Sequence, residues 1–219
     1  MSKYKILMLV MLIIGIFIFE TVKAGDGKLY GKCLYLDPGH GGLDPGAIYG
    51  GVKEEDINLE IAFKLKEELE NNGAIVYLTR EGDYDLSNGA SDRKRADLYR
   101  RSVLINNSGC DMYLSLHLNA ITSGNNKGAQ VFYDDINSNN VNLAKIMQRQ
   151  LKADLYTNRK YKEVSDGYLY RRVKIPGVLI EMGFLSNANE RTQLKRDTYQ
   201  KRIVKSITKG IMSYFDKYA

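Results

Sequence analysis

Histidine and cysteine are nearly missing from this chain, with two of each among 219 residues. No HExxH-type pair occurs, so a metal site carried by one short helical motif is excluded. Any site that uses both imidazoles, His40 and His117, has to bring distant segments together. Proline is also scarce, with three residues, and no long linker is advertised. No internal repeat or low-complexity tract interrupts the chain, and its length suits one domain with a real core. A stripe of interleaved basic and aromatic residues is absent too, which argues against a nucleic-acid platform. The net charge of +6 comes from lysines and arginines dispersed along the sequence. Such a balance favours polyanionic surroundings, among them anionic lipid or an anionic cell wall.

What is present begins with Lys3 and Lys5 followed by an apolar run, Ile6 to Phe19, broken only by Gly15. The run is too short for a comfortable membrane span but fits the apolar region of a signal peptide. Val22-Lys23-Ala24 is a passable cleavage site, and Glu20 and Lys23 leave an uncleaved membrane anchor open. Residues 1–24 are therefore expected to be a signal peptide or N-terminal membrane anchor, and 25–219 the functional domain. The expected location is outside the cytoplasmic membrane, with membrane contact only through the N-terminal segment.

Beyond that segment, short apolar runs alternate with helical patterns. Cys33 to Asp37 reads as a first strand, and the turn Pro38-Gly39-His40-Gly41-Gly42 follows it. Ile57, Ile61, Leu65 and Leu69 recur at helical spacing, with Asp56 as N-cap and Gly73 as stop. Ala74 to Arg80 is a second strand, 92–107 a helix, and Cys110 to Leu118 a central strand. A helix between two apolar strands makes a βαβ unit and implies a largely parallel sheet. Gly128 to Tyr133, a helix over 139–155, a strand from Gly177 that ends at Glu181, and final helices from Asn189 complete the pattern. The fold class is α/β. Cys33 and Cys110 each precede a histidine by the same number of residues. They are expected to be small buried core residues; a disulfide between neighbouring strands is the alternative.

In open α/β sheets, ligands bind beyond the carboxyl ends of the strands. Four ionisable groups fall there: His40, Glu54, His117 and Glu181. Two histidines and a glutamate are a common zinc set in hydrolases, with a fourth position left for water. A separate glutamate then moves the proton. Each group also has a plainer reading. A strand-end histidine can be a hydrogen-bonded structural residue, Glu54 a helix-start carboxylate favoured by the macrodipole, and Glu181 the partner of an arginine. Glu55, next in the chain, competes with Glu54.

The motifs narrow these readings. Leu36-Asp37-Pro38-Gly39-His40-Gly41-Gly42 and Asp44-Pro45-Gly46-Ala47 resemble the opening signature of the zinc-dependent N-acetylmuramoyl-L-alanine amidases of bacterial cell walls. The likeness continues in order through Lys53-Glu54, Thr79-Arg80, the run from Ser115 to Ala120, and the run from Ile180 to Asn187. It spans about Lys32 to the C-terminus. It implies a single twisted, mostly parallel sheet of about six strands flanked by helices on both faces. It makes His40, Glu54 and His117 ligands of Zn2+ and Glu181 the catalytic residue, and it prefers Glu54 to Glu55. Asn119 is expected to orient substrate or the groups that support the ligands, and Arg80, which matches a family position, is a candidate substrate contact. For Arg80, Arg101 and Asp111, bracing of the sheet ends is the competing role. Leu118 and Met182 depart from the usual family residues, and neither is expected to touch a ligand with its side chain.

The implied reaction hydrolyses the amide between N-acetylmuramic acid and the L-alanine of the stem peptide in peptidoglycan. Short members with a signal segment resemble the spore-cortex amidases of endospore-formers, and the lysine-, asparagine- and tyrosine-rich composition fits such a source. The chain has no additional wall-binding repeat, so an activating or anchoring partner protein is expected. Two other classes stay open: a zinc peptidase acting on the stem peptide, and a non-catalytic wall-binding module.

Overall fold

Period-two alternation sets the architecture. In β1 (Cys33–Pro38), Leu34 and Leu36 point into the main core, while Tyr35 joins a smaller cluster on the opposite face. The same alternation runs through β5 (Met112–Asn119), where Met112, Leu114, Leu116 and Leu118 face the main core and Tyr113 the smaller one. In β8 (Gly177–Phe184), Val178, Ile180 and Met182 continue the main core. Each fully buried leucine in this layer contributes about 1.5–3 kcal/mol. The computed structural model describes residues 28–218. The signal segment or anchor expected over residues 1–24 lies outside them.

The central sheet has six strands in the order β4-β1-β5-β8-β6-β7, with β4 at Ile75–Leu78, β6 at Gln130–Tyr133 and β7 at Lys162–Glu163. Strands β4, β1, β5 and β8 are parallel neighbours, as the βαβ reading requires. β6 runs antiparallel to β8, and β7 runs parallel to β6. The reversal has a local cause: the link from β5 to β6 contains no helix, and only a crossover connection returns a chain for parallel pairing. A two-stranded hairpin, β2 (Ile48–Tyr49) and β3 (Val52–Lys53), stands apart and was not expected.

Helices cover both faces. α1 (Glu54–Asn71), α3 (Asn140–Leu155) and α5 (Asp197–Tyr218) bury Ile61, Leu65, Leu143, Leu151, Ile203 and Ile207 in the main core. α2 (Arg93–Asn107) and a 3-10 turn at Tyr170–Arg172 lie on the other side, where Ile105, Leu169 and Val173 form a much smaller cluster. The short α4 (Ala188–Leu194) precedes α5.

α1 departs from the expected start. Glu54 is already helical, Lys53 is the N-cap without a side-chain cap bond, and Asp56 sits in the first turn. Loop carbonyls do the capping instead: Glu54 N–H donates to Ala47 O at 2.9 Å and Glu55 N–H to Pro45 O at 3.2 Å. The helix stops as expected at Gly73, whose φ of 90° is the left-handed geometry that glycine tolerates. The two cysteines correct the reduced-core expectation. Cys33 and Cys110 are disulfide-bonded, with Cα atoms 4.6 Å apart. They lie where neighbouring β1 and β5 begin, at the end away from the histidines.

Candidate metal centre

β1 delivers His40 one residue past the Pro38-Gly39 turn. Gly39 N–H donates to Leu116 O at 2.9 Å, which keeps the turn zipped to β5. His40 then takes a left-handed conformation, φ 63°, that costs a non-glycine residue about 1–3 kcal/mol. Two buried arginines hold it there. Arg101 donates to Pro38 O and His40 O, and Arg80 donates to Pro38 O and Gly39 O, so three consecutive carbonyls are gripped. Arg101 also pairs with Asp37 at 2.9 Å and with Asp97 at 2.8 Å. Asp37 accepts further bonds from Thr79 and Ser115. Burial pushes the Asp37 carboxyl up, but the Arg101 charge and these hydroxyls outweigh it and hold it below its ordinary value.

His117 comes from β5 and Glu54 from the first turn of α1. Glu54 Oε1 lies 3.2 Å from His40 Nε2 and 3.0 Å from His117 Nδ1. The imidazole rings meet edge to face, with centroids 4.9 Å apart. One ligand atom from each residue lies within 4.8 Å of the other two. Ala47 N–H donates to Glu54 Oε2, and Leu118 N–H and the Asn58 amide donate to Oε1, so the carboxylate is fixed from several sides. Burial raises Glu54, but His117 and His40 overcome it and keep the group well below the carboxylate range. On the far side of His40, Nδ1 meets Asp44 Oδ2 at 3.0 Å. Donation of Nδ1–H to this carboxylate leaves Nε2 as the lone-pair nitrogen, facing Glu54. Two imidazole nitrogens and a fixed carboxylate oxygen aimed at one point fit a zinc ion with an open position.

Glu181 is not at a strand end as expected. It lies within β8, which runs on to Phe184, and it pairs in register with His117. Period two places Asp37, Ser115, His117 and Glu181 on the thinly covered face. There a cavity of about 290 Å³ opens beside Asp37, Gly39, His40, Leu98, His117 and Tyr170. Glu181 Oε2 is sealed from solvent and has no hydrogen-bond partner among the described residues. Burial, with the Glu54 charge adding and His40 opposing, pushes this carboxyl up to about 8.

Other expected site residues fall outside the cluster. Glu55 is buried with its Oε1 on Lys53 at 2.9 Å, so Glu54 is the member of the pair that meets the histidines. Arg80 is 1% exposed and spends four donor contacts on main-chain oxygens of Pro38, Gly39, Gly82 and Glu55. Held in that way, it braces the histidine turn, the competing role given for it above. Asp111 likewise braces, accepting from Cys33 N–H at 2.8 Å. Asn119 is half-buried two residues past His117, where the pairing with β8 shifts register. Asp44 and Tyr170 were not singled out by sequence reasoning. Asp44 stood inside a quoted motif, whereas nothing local marks Tyr170 within its tyrosine-rich stretch.

Gly39 supplies a test of the packing. A Cβ there would sit 2.1 Å from His117 Cε1. Gly39→Ala is therefore expected to push the imidazole off Glu54 and weaken zinc binding by about tenfold or more, in line with 1–3 kcal/mol for overpacking. Zinc titration calorimetry checks this; unchanged affinity would mean that the ring position is not what binds the ion.

A mostly parallel α/β sheet that gathers two histidines and a glutamate, with a half-buried acid on the next strand, is the arrangement of a hydrolase with a candidate metal site. More specifically, the chain belongs to the N-acetylmuramoyl-L-alanine amidase family, whose profile matches residues 34–213. It is 45% identical over 201 residues to the germination-specific N-acetylmuramoyl-L-alanine amidase of Bacillus subtilis, covering 90% of this chain and 85% of that one. The amidase LytC of the same organism is 32% identical, over 84% of this chain and 36% of its own length. The CwlD amidase of Clostridioides difficile, solved in complex with the GerS lipoprotein, superposes with a TM-score of 0.80 at 40% identity. That match covers 84% of this chain and 98% of the other.

Proposed function

We propose that this chain hydrolyses the amide between the lactyl group of N-acetylmuramic acid and L-alanine in peptidoglycan, in the spore cortex. Family membership and the likeness to the germination-specific amidase support the substrate. The observation that carries the chemistry is the convergence of His40, Glu54 and His117 with the half-buried Glu181 alongside. Residues 25–219 form the catalytic domain in this reading, delivered outside the cytoplasmic membrane by the N-terminal segment. The pairing of Cys33 with Cys110 agrees with an oxidising compartment.

His40 Nε2, Glu54 Oε1 and His117 Nδ1 would hold the zinc. When bound, zinc supplies a water of lowered pKa and polarises the scissile carbonyl. Glu181 takes the proton of the attacking water on its carboxylate and hands it to the departing nitrogen. The C–N bond breaks, leaving a lactyl carboxylate and a free L-alanine amine. Asp44 holds the His40 tautomer. Asn119 would orient substrate or the groups that support the ligands. The GerS complex of the Clostridioides difficile amidase supports the expectation of an anchoring or activating partner.

Digestion of purified peptidoglycan tests the reading. New L-alanine N-termini with intact glycan strands are expected by mass spectrometry, lost in chelator and restored by zinc. Cuts inside the stem peptide would instead make the protein a peptidase, and zinc-replete protein that binds wall without cutting would make it a binding module.

A further inference from the structure

The lysines and arginines that look dispersed in sequence are gathered by two antiparallel helices. On α3, Lys145, Arg149 and Lys152 follow one another at i, i+4 and i+7 and are all exposed. On α5, Lys201, Lys205 and Lys209 repeat at i, i+4 and i+8, also exposed, with Lys217 further along. The helices pack side by side: a Cβ on Gly210 of α5 would touch Met147 of α3, and Lys209 reaches Asp154 at 3.3 Å. A depression of about 610 Å³ between them is lined by Lys145, Arg149, Lys152, Lys160 and Lys217, with Tyr161 and Tyr218 and no acid. The acids on these helices are few. Asp154 is matched by Lys209, Asp197 by Lys64 and Lys201, and Asp216 is exposed near the end of α5.

The placement of this face is informative. Lys32, just before β1, places its Nζ 4.9 Å from the ring centroid of Phe215, in the last turns of α5, and Leu29 N–H bonds to Asn72 O at the foot of α1. Lys28 and Leu29 thus lie at the Lys217 end of the α3–α5 pair. The zinc cluster lies at the opposite end of the parallel strands, where β1 and β5 finish.

We propose that the α3–α5 face docks on an anionic lipid surface, so that the catalytic mouth points away from the bilayer. The inference rests on the reading of residues 1–24 as a membrane-directed segment, and the charge complementarity is independent of catalysis. Cations near an anionic bilayer each add roughly fivefold to partitioning, an effect that salt screens.

The test uses the full chain with vesicles of pure phosphatidylcholine and of phosphatidylcholine mixed with phosphatidylglycerol. Both take up the apolar segment, so the readout is the ratio of binding between them at low and high salt. The wild type is expected to prefer the anionic vesicles, and Lys145→Gln/Arg149→Gln/Lys152→Gln/Lys217→Gln to lose about a hundredfold or more of that preference. Removal of four exposed cations elsewhere, Arg95, Lys127, Arg171 and Lys174, should leave most of it. Equal binding of both vesicles by the wild type, or an undiminished preference in the first variant, overturns the proposal. So does retention on an anionic wall polymer without any lipid preference. Amide hydrolysis is not part of the readout, so failure here leaves the catalytic reading standing.

Discussion

Glu181→Gln is expected to lower turnover on peptidoglycan by about 10³-fold, within the range that positioned acid–base groups contribute. Zinc content should stay at about one per chain if His40, Glu54 and His117 hold the ion as proposed. The change keeps the shape of the side chain and removes only its ability to exchange a proton. Loss of metal in the variant would make Glu181 a ligand, and retained turnover would end its proton role. A second readout comes from zinc-free protein. The Glu181 carboxyl sits at about 8, above its ordinary 4.5, so the stability its neutral form provides is full below 4.5 and is lost as pH rises through 8. Glutamine does not titrate. Thermal melts in chelator should therefore show the variant gaining on the parent between pH 5 and pH 9. Glu54 is shifted the opposite way, and its contribution is lost only at pH values below this window.

Arg101→Met is expected to be the most damaging change outside the cluster. It strands the buried Asp37 carboxylate without a cation, removes the arginine donor of the His40 carbonyl and leaves the Pro38 carbonyl with Arg80 alone. Breaking a buried pair from one side costs about 3–5 kcal/mol. Urea denaturation should show a loss of that size, and zinc affinity should fall with it as the His40 turn loosens. A loss below about 1 kcal/mol would mean that Arg80 alone holds the turn. Arg101→Lys should recover little of either property, because an ammonium cannot span Asp37, Asp97 and two carbonyls as a guanidinium does.

Much of this site was legible in the sequence, for particular reasons. His40 and His117 were conspicuous because imidazole is so rare here, and both followed apolar runs that form buried strands. Glu54 was marked by the helical spacing of Ile57, Ile61, Leu65 and Leu69, which fixed where α1 begins to within a turn. What stayed hidden depends on partners distant in sequence. Asp56 looked like a cap because nothing local reveals that Pro45 and Ala47 offer their carbonyls. Glu181 looked like a strand terminus because Met182, Gly183 and Phe184 read as a turn. Pairing of Asn119 with Phe184 extends β8 past it. The reversal of β6 was implicit in the missing helix between residues 119 and 130. The basic face escaped because cations four apart look scattered until a helix stacks them.

Asp37 joins more of the molecule than its size suggests. Its two oxygens take bonds from Thr79 just past β4, Ser115 in β5 and Arg101 in α2. The turn it steadies then waits on Glu54, His117 and finally Glu181, which arrives with the last strand of the sheet. In a chain still emerging, cut short or half folded, the proposed site is therefore incomplete. The blade is sharpened only once the whole handle has been made, a safeguard for a cell whose own envelope is the target.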